Sequence, residues 1–206
     1  MPARPPGKLA RGFYLQDTVT VARSLLGCLL WRRLGDELIA VRIVETEAYL
    51  GANDDASHAR RGLRSERNRS MYLEGGHAYV YFTYGMHWCM NVVTQEQDLA
   101  EAVLLRAAEP VRGVESIRLR RPKARREVDL MNGPGKLCMA LAVGREQDGE
   151  PLDGNTLYLT GRDVAIEESE IAVSPRVGVE NAGEAAVWPL RFYLRGNRHV
   201  SPHRHV

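Results

Sequence analysis

Glu45, Glu47 and Tyr49 stand at alternate positions at the end of the run Val41 to Tyr49, which reads Val-Arg-Ile-Val-Glu-Thr-Glu-Ala-Tyr. The run is rich in β-branched residues and reads as one strand. Its side chains alternate faces with period 2, which puts Val41, Ile43, Glu45, Glu47 and Tyr49 on one side. Two carboxylates on one face, about 6 to 7 Å apart at Cα, are compatible with the dyad of a glycoside hydrolase. A single one could activate a water. A buried carboxylate is costly unless paired, so the segment taken by itself reads as a strand emerging into water after Val44 with ordinary exposed acids. A cation would change that. Arg106 sits inside the apolar run Ala102 to Ala107, and a guanidinium buried there wants Glu45 or Glu47 as its partner.

Other chemistry-bearing residues gather around two stretches. Ala78 to Phe82 and His87 to Val93 read as a hairpin, and its turn carries Tyr84 and Met86 where a tip is normally polar. Either the tip folds under another element, or it is a wedge for insertion between bases. Tyr49, Tyr79 and Tyr81 are rings available for stacking. Asp54, Asp55 and His58 suggest metal ligands only weakly, since turn and capping roles are commoner and no ligand loop is recognisable. No Cys-x-x-Cys spacing exists, and Cys28, Cys89 and Cys138 each lie in apolar sequence, which predicts buried thiols, no disulfide framework and no metal site. The glycines of Met131 to Leu141 precede an apolar helix. They could leave N–H groups free for a phosphate beside Lys136, or simply cap a core helix.

The elements that must position these groups fit one domain of 206 residues, 44% hydrophobic and 26% charged. Residues 1–8 read as a disordered arm, 9–196 as the domain and 197–206 as a loose tail. The net charge is only +2, yet arginines cluster at Arg60, Arg61, Arg64, Arg67 and Arg69, and again from Arg118 to Arg126. Such runs are solvated faces or a phosphate-backbone surface. No run is long enough to span a membrane, and the start lacks a signal-peptide core, so an intracellular protein is expected, and a short chain without a long regulatory tail suggests a bacterial form. Asp17 caps a predicted helix from Thr18 to Leu26 stopped by Gly27. Cys28 to Arg33 and Leu38 to Tyr49 form a predicted hairpin, and Glu109-Pro110 ends the strand that holds Arg106. A helix from Val111 to Arg121 follows. Leu157 to Thr160, Ile171 to Val173, Arg176 to Val179 and Leu190 to Arg195 are further predicted strands. The order implies an α+β fold with a curved, mostly antiparallel sheet and a protruding hairpin.

Several separated motifs together resemble the alkyladenine, or 3-methyladenine, DNA glycosylases: Arg-Ile-Val-Glu-Thr-Glu-Ala-Tyr-Leu-Gly at 42–51, Ala-Ser-His at 56–58, Arg-Asn-Arg at 67–69, Tyr-Val-Tyr-Phe-Thr-Tyr-Gly-Met at 79–86, Cys-Met-Asn at 89–91, Val-Leu-Leu-Arg-Ala at 103–107, Gly-Pro-Gly-Lys-Leu-Cys at 133–138 and Pro-Leu-Arg-Phe-Tyr at 189–193. The resemblance covers about Leu9 to Arg195. It implies Glu47 as the water-activating base and Arg106 as the residue that helps hold that water. Tyr49, His58, Tyr81 and Asn91 would line the base pocket, Tyr84 would intercalate, and Arg67, Arg69 and Lys136 would contact the DNA backbone. Arg176 to Val179 would line the water site with backbone, while Glu180-Asn181 departs from the Gly-His of mammalian members.

The implied partner is double-stranded DNA with damaged purines, bound by a monomer that uses no cofactor. The implied reaction is monofunctional: the base is flipped out and its N-glycosidic bond hydrolysed through an oxocarbenium-like sugar. A nucleic-acid-binding module without catalysis and a carboxylate-dyad glycoside hydrolase are the rival readings.

Overall fold

A computed structural model describes residues 7–202; the expectation for the first six residues of the arm lies outside them. Two short helices, α1 (Arg11–Tyr14) and α2 (Thr18–Ser24), open the chain. The Asp17 side chain accepts from the Thr20 N–H, as a cap should. Then come β1 (Cys28–Leu34), β2 (Glu37–Tyr49), β3 (Ala78–Thr83), β4 (His87–Thr94), β5 (Glu101–Arg112), α3 (Val114–Arg120), α4 (Pro134–Ala140), β6 (Leu157–Arg162), β7 (Ile171–Ser174) and β8 (Arg191–Leu194). The fold is α+β, with one antiparallel eight-stranded sheet of order β3-β4-β5-β2-β1-β6 and with β8 joining β2 to β7.

The expected period along β2 is broken. Its register against β5 shifts between Ile43 and Glu45 and again between Glu45 and Thr46, the mark of a bulge at Val44. Ile43 and Val44, adjacent in sequence, both enter the main core. Beyond the bulge Val44 and Ala48 belong to that core, and the Thr46 hydroxyl donates to the Ala22 carbonyl of α2 at 2.9 Å. Glu45, Glu47 and Tyr49 therefore project from the opposite face. The sequence places them on the same side as Val41 and Ile43; the extra residue reverses that.

Three other expectations are corrected. Glu109-Pro110 does not end β5, which continues to Arg112; Pro110 faces Val41 where the register shifts, a position that tolerates a missing N–H. The next helix accordingly starts at Val114, after Gly113 at φ 76°. Arg176 to Val179 forms no strand. The tail is not loose as far as it is described, because Ser201 is buried against β2. All three cysteines are buried free thiols, as expected.

Candidate active site

The register of the sheet brings Glu45 and Glu47 of β2 beside Arg106 of β5, and all three are buried, the two glutamates at 0% exposure. They are not the exposed acids that the segment alone suggests. Arg106 Nε donates to Glu45 Oε1 at 2.8 Å, and its Nη1 lies 3.2 Å from Glu47 Oε1. Burial acts to lower the Arg106 pKa, but Glu47 and Glu45 outweigh it and raise it, so the guanidinium stays charged.

The two acids have different surroundings. Glu45 accepts from Arg106, from Arg191 Nε of β8 at 2.7 Å, and from both the N–H (2.7 Å) and the hydroxyl (2.8 Å) of Ser201. Burial would lift its pKa, but Arg106 and Arg191 hold the carboxyl below its ordinary value. Glu47 accepts from the Val177 N–H at 2.7 Å on Oε1 and from the Tyr49 hydroxyl at 2.9 Å on Oε2. Burial, then the Glu47 charge, push the Tyr49 phenol well above its usual range and keep it a donor.

Beside this cluster is a cavity of about 350 Å³ walled by Tyr49, Tyr79, Tyr81, His58, Asn91 and Arg106, with Val177 to Val179 on the other side and Tyr84 at its mouth. The His58 and Tyr81 rings meet edge to face at 4.5 Å, and Tyr79 and Tyr81 lie 5.4 Å apart. His58 Nδ1 bonds the Tyr79 hydroxyl at 2.7 Å. Burial, with Arg67 and Arg60 nearby, lowers the imidazole to a pKa of about 4, so it is neutral at physiological pH. The Asn91 amide donates to the Tyr79 carbonyl at 3.1 Å, which fixes its plane.

The hairpin tip does not fold under another element. Tyr84 is 81% and Met86 65% exposed; Tyr84 and Gly85 both take positive φ, 51° and 65°, to close the turn. Arg67 donates to the Phe82 carbonyl at 3.2 Å, with its guanidinium over the Tyr81 ring, and Arg69 pairs with Glu66. Lys136 lines none of the aromatic cavity. Its amine donates to Asn132 at 2.7 Å and faces a separate hollow of about 330 Å³ with Arg126 and Arg198. Gly135 approaches the His87 side chain so closely that a Cβ would come within 3.0 Å of it, so packing accounts for this glycine without a phosphate.

The partnerships of three residues are not legible in the sequence. Asp54 is no metal ligand but a buried bidentate partner of Arg176, with Arg176 Nη2 to Oδ1 at 2.8 Å. Arg176 also donates to the Ala48 and Ala185 carbonyls and lies over the Tyr49 ring, so it holds the segment whose Val177 N–H reaches Glu47. The third is Ser201, a serine in a polar tail with nothing local to mark it. Among the described residues, no three His, Cys, Asp or Glu side chains are grouped to hold a metal, and no helix is long and apolar enough to cross a membrane.

A family model described as Methylpurine-DNA glycosylase matches residues 12–198. The chain belongs to the methylpurine-DNA glycosylase family. Relatives provisionally named 3-methyladenine DNA glycosylase include one from Bdellovibrio bacteriovorus, 47% identical over 94% of this chain and 98% of its own length. Others come from Methanocella arvoryzae, 45% identical over 94% and 95%, and Carboxydothermus hydrogenoformans, 46% identical over 94% and 98%. Family membership makes the chain a DNA N-glycosylase, a hydrolase of DNA repair whose substrate is DNA.

Proposed function

We propose that this glycosylase flips 3-methyladenine and related alkylated or deaminated purines, such as 7-methylguanine, hypoxanthine and ethenoadenine, out of duplex DNA, and hydrolyses the N-glycosidic bond with a water activated by Glu47. The observation that carries the reading is the asymmetry of the two acids. Every partner of Glu47, namely Tyr49, Val177 and Arg106, lines the aromatic cavity, whereas Glu45 is tied by Arg191 and Ser201, which do not, and shares only Arg106 with it. Arg106, ionised and bonded to both, stabilises the Glu47 anion as positive charge grows on the sugar. The extruded purine stacks on Tyr49 and Tyr81, a placement that favours cationic alkylated bases. His58 hydrogen-bonds it, and Asn91 opposes the exocyclic amine of normal guanine. Tyr84 fills the gap in the stack, while Arg67, Arg69 and Lys136 contact phosphates.

The enzyme is monofunctional and acts as a monomer in the bacterial cytoplasm. A bifunctional route requires an amine nucleophile in the pocket, and Lys136 is turned to Asn132 outside it. A carboxylate dyad is disfavoured because Arg106 and Arg191 hold the Glu45 carboxyl below its ordinary pKa, against service as an acid, and because Arg191 and Ser201 tie it away from the cavity.

Release of methylpurines from chemically methylated duplex DNA tests the reading. Glu47→Gln is expected to bind this DNA and release no base, and borohydride to trap no protein–DNA adduct with the wild type. Base release by Glu47→Gln at the wild-type rate, or a trapped adduct through Lys136, would overturn it.

A further inference from the structure

The segment after β8 turns back across the sheet and ends on the charged cluster. Asn197 donates to Glu109 Oε2 of β5 at 3.0 Å, and its own Oδ1 accepts from the His199 N–H at 2.8 Å, which closes a tight turn. Val200 packs against the main core. Ser201, 7% exposed, then meets Glu45 with two donors. Its hydroxyl donates to Glu45 Oε1, the oxygen that also takes Arg106 Nε and Arg191 Nε, while Arg106 Nη2 approaches the same hydroxyl oxygen at 3.5 Å. One serine thus touches both members of the Glu45–Arg106 pair, and Arg106 passes that contact on to Glu47.

We infer that residues 197–202 form a strap, and that Ser201 is a positioning residue for the Arg106–Glu47 pair. The inference rests on the reading of Glu47 as the base. The physical reason is the number of acceptor positions. Glu45 fixes Arg106 only while its own carboxylate is fixed, and two of its four donors come from Ser201. Without them Glu45 is held by Arg106 and Arg191 alone, through one oxygen, and is free to rotate about that oxygen. Arg106 would follow, and its Nη1 would leave the 3.2 Å contact with Glu47.

The test compares Ser201→Ala, which loses the hydroxyl, Ser201→Pro, which also loses the N–H, and Ser201→Thr, which keeps both donors. Each is measured for single-turnover release from methylated duplex DNA, for affinity to the same duplex and for melting temperature. Release is expected to fall about 10-fold to 100-fold in Ser201→Pro and less in Ser201→Ala, in keeping with small misplacements of catalytic groups. Affinity stays within about twofold, because the strap touches no residue of the aromatic cavity except Arg106. Ser201→Thr restores the rate. A wild-type rate in both Ser201→Pro and Ser201→Ala overturns the inference, as does a rate loss that only follows the loss of folded protein or of affinity. Glu47→Gln is run beside them: if it releases base, the assignment of the base fails, whatever the Ser201 variants show.

Discussion

Asp54→Ala probes how the wall opposite the tyrosines is held. Asp54 and Arg176 are both fully buried and joined through two parallel bonds. Without the carboxylate, Arg176 retains the Ala48 and Ala185 carbonyls at 2.9 and 3.1 Å, but no carboxylate remains in contact with it. Breaking a buried pair from one side costs about 3 to 5 kcal/mol. The Tyr49 ring 4.7 Å from the guanidinium offsets part of this, which favours the lower end. For a chain of this length each kcal/mol lowers the melting temperature by about 2 to 4 °C, so a fall of roughly 6 to 12 °C is expected for a cost near 3 kcal/mol. Replacing both partners by apolar residues of similar size, Asp54→Leu with Arg176→Met, removes the orphaned charge and should recover part of that loss, the Leu50 and Ala56 N–H groups that Asp54 accepts being left unpaired. The assay is a thermal melt of the three variants beside the wild type. A fall below about 2 °C in Asp54→Ala, less than one kcal/mol, or a double variant no more stable than the single, would refute the account of Arg176 as a charge held by Asp54.

Two further outcomes follow from the pocket. His58, with its pKa lowered to about 4, is expected to stay neutral across the range where a free imidazole titrates, and NMR of its ring checks this directly. Between about pH 6.5 and 4 the unfolded chain binds a proton at this position that the folded one does not. Its contribution therefore lowers stability as the pH falls through that window, and a His58 titration near 6.5 would contradict the burial argument. Tyr84→Gly should leave the melting temperature within a few degrees, since Tyr84 is exposed and already in the left-handed region that glycine adopts freely. It should nevertheless weaken capture of methylated duplex DNA, and wild-type binding and excision would remove the wedge from the mechanism.

Much of the site is visible as residue types in order along the chain. The alternation Glu45, Glu47, Tyr49, the arginine inside an apolar strand and the aromatic hairpin are local patterns. Local patterns survive folding because strand period and turn chemistry act over a few residues. The strand assignments and the α+β class follow from the same short-range signals, and they fail where a long-range pairing overrides them. Pro110 stays in β5 because its missing N–H falls where the register against β2 shifts. Arg176 to Val179 bends at Val177 and Gly178, the latter at φ 76°, and its start is fixed by the ion pair of Arg176 with Asp54.

Which glutamate is the available one could not be read from spacing, because the two are equivalent by period and differ only in their donors. Those donors come from β5, from β8, from the segment at Val177 and from the strap at Ser201, as far as 156 residues away in sequence. The bulge at Val44 is equally silent in the sequence, yet it decides which face of the sheet carries the charges. The sequence by itself determined the family, the fold class and the types of group in the pocket. The tertiary structure alone decided that the partners of Glu47 line the cavity while Arg191 and Ser201 tie Glu45 away from it, because hydrogen-bond partners are neighbours in space and a chain does not record them locally.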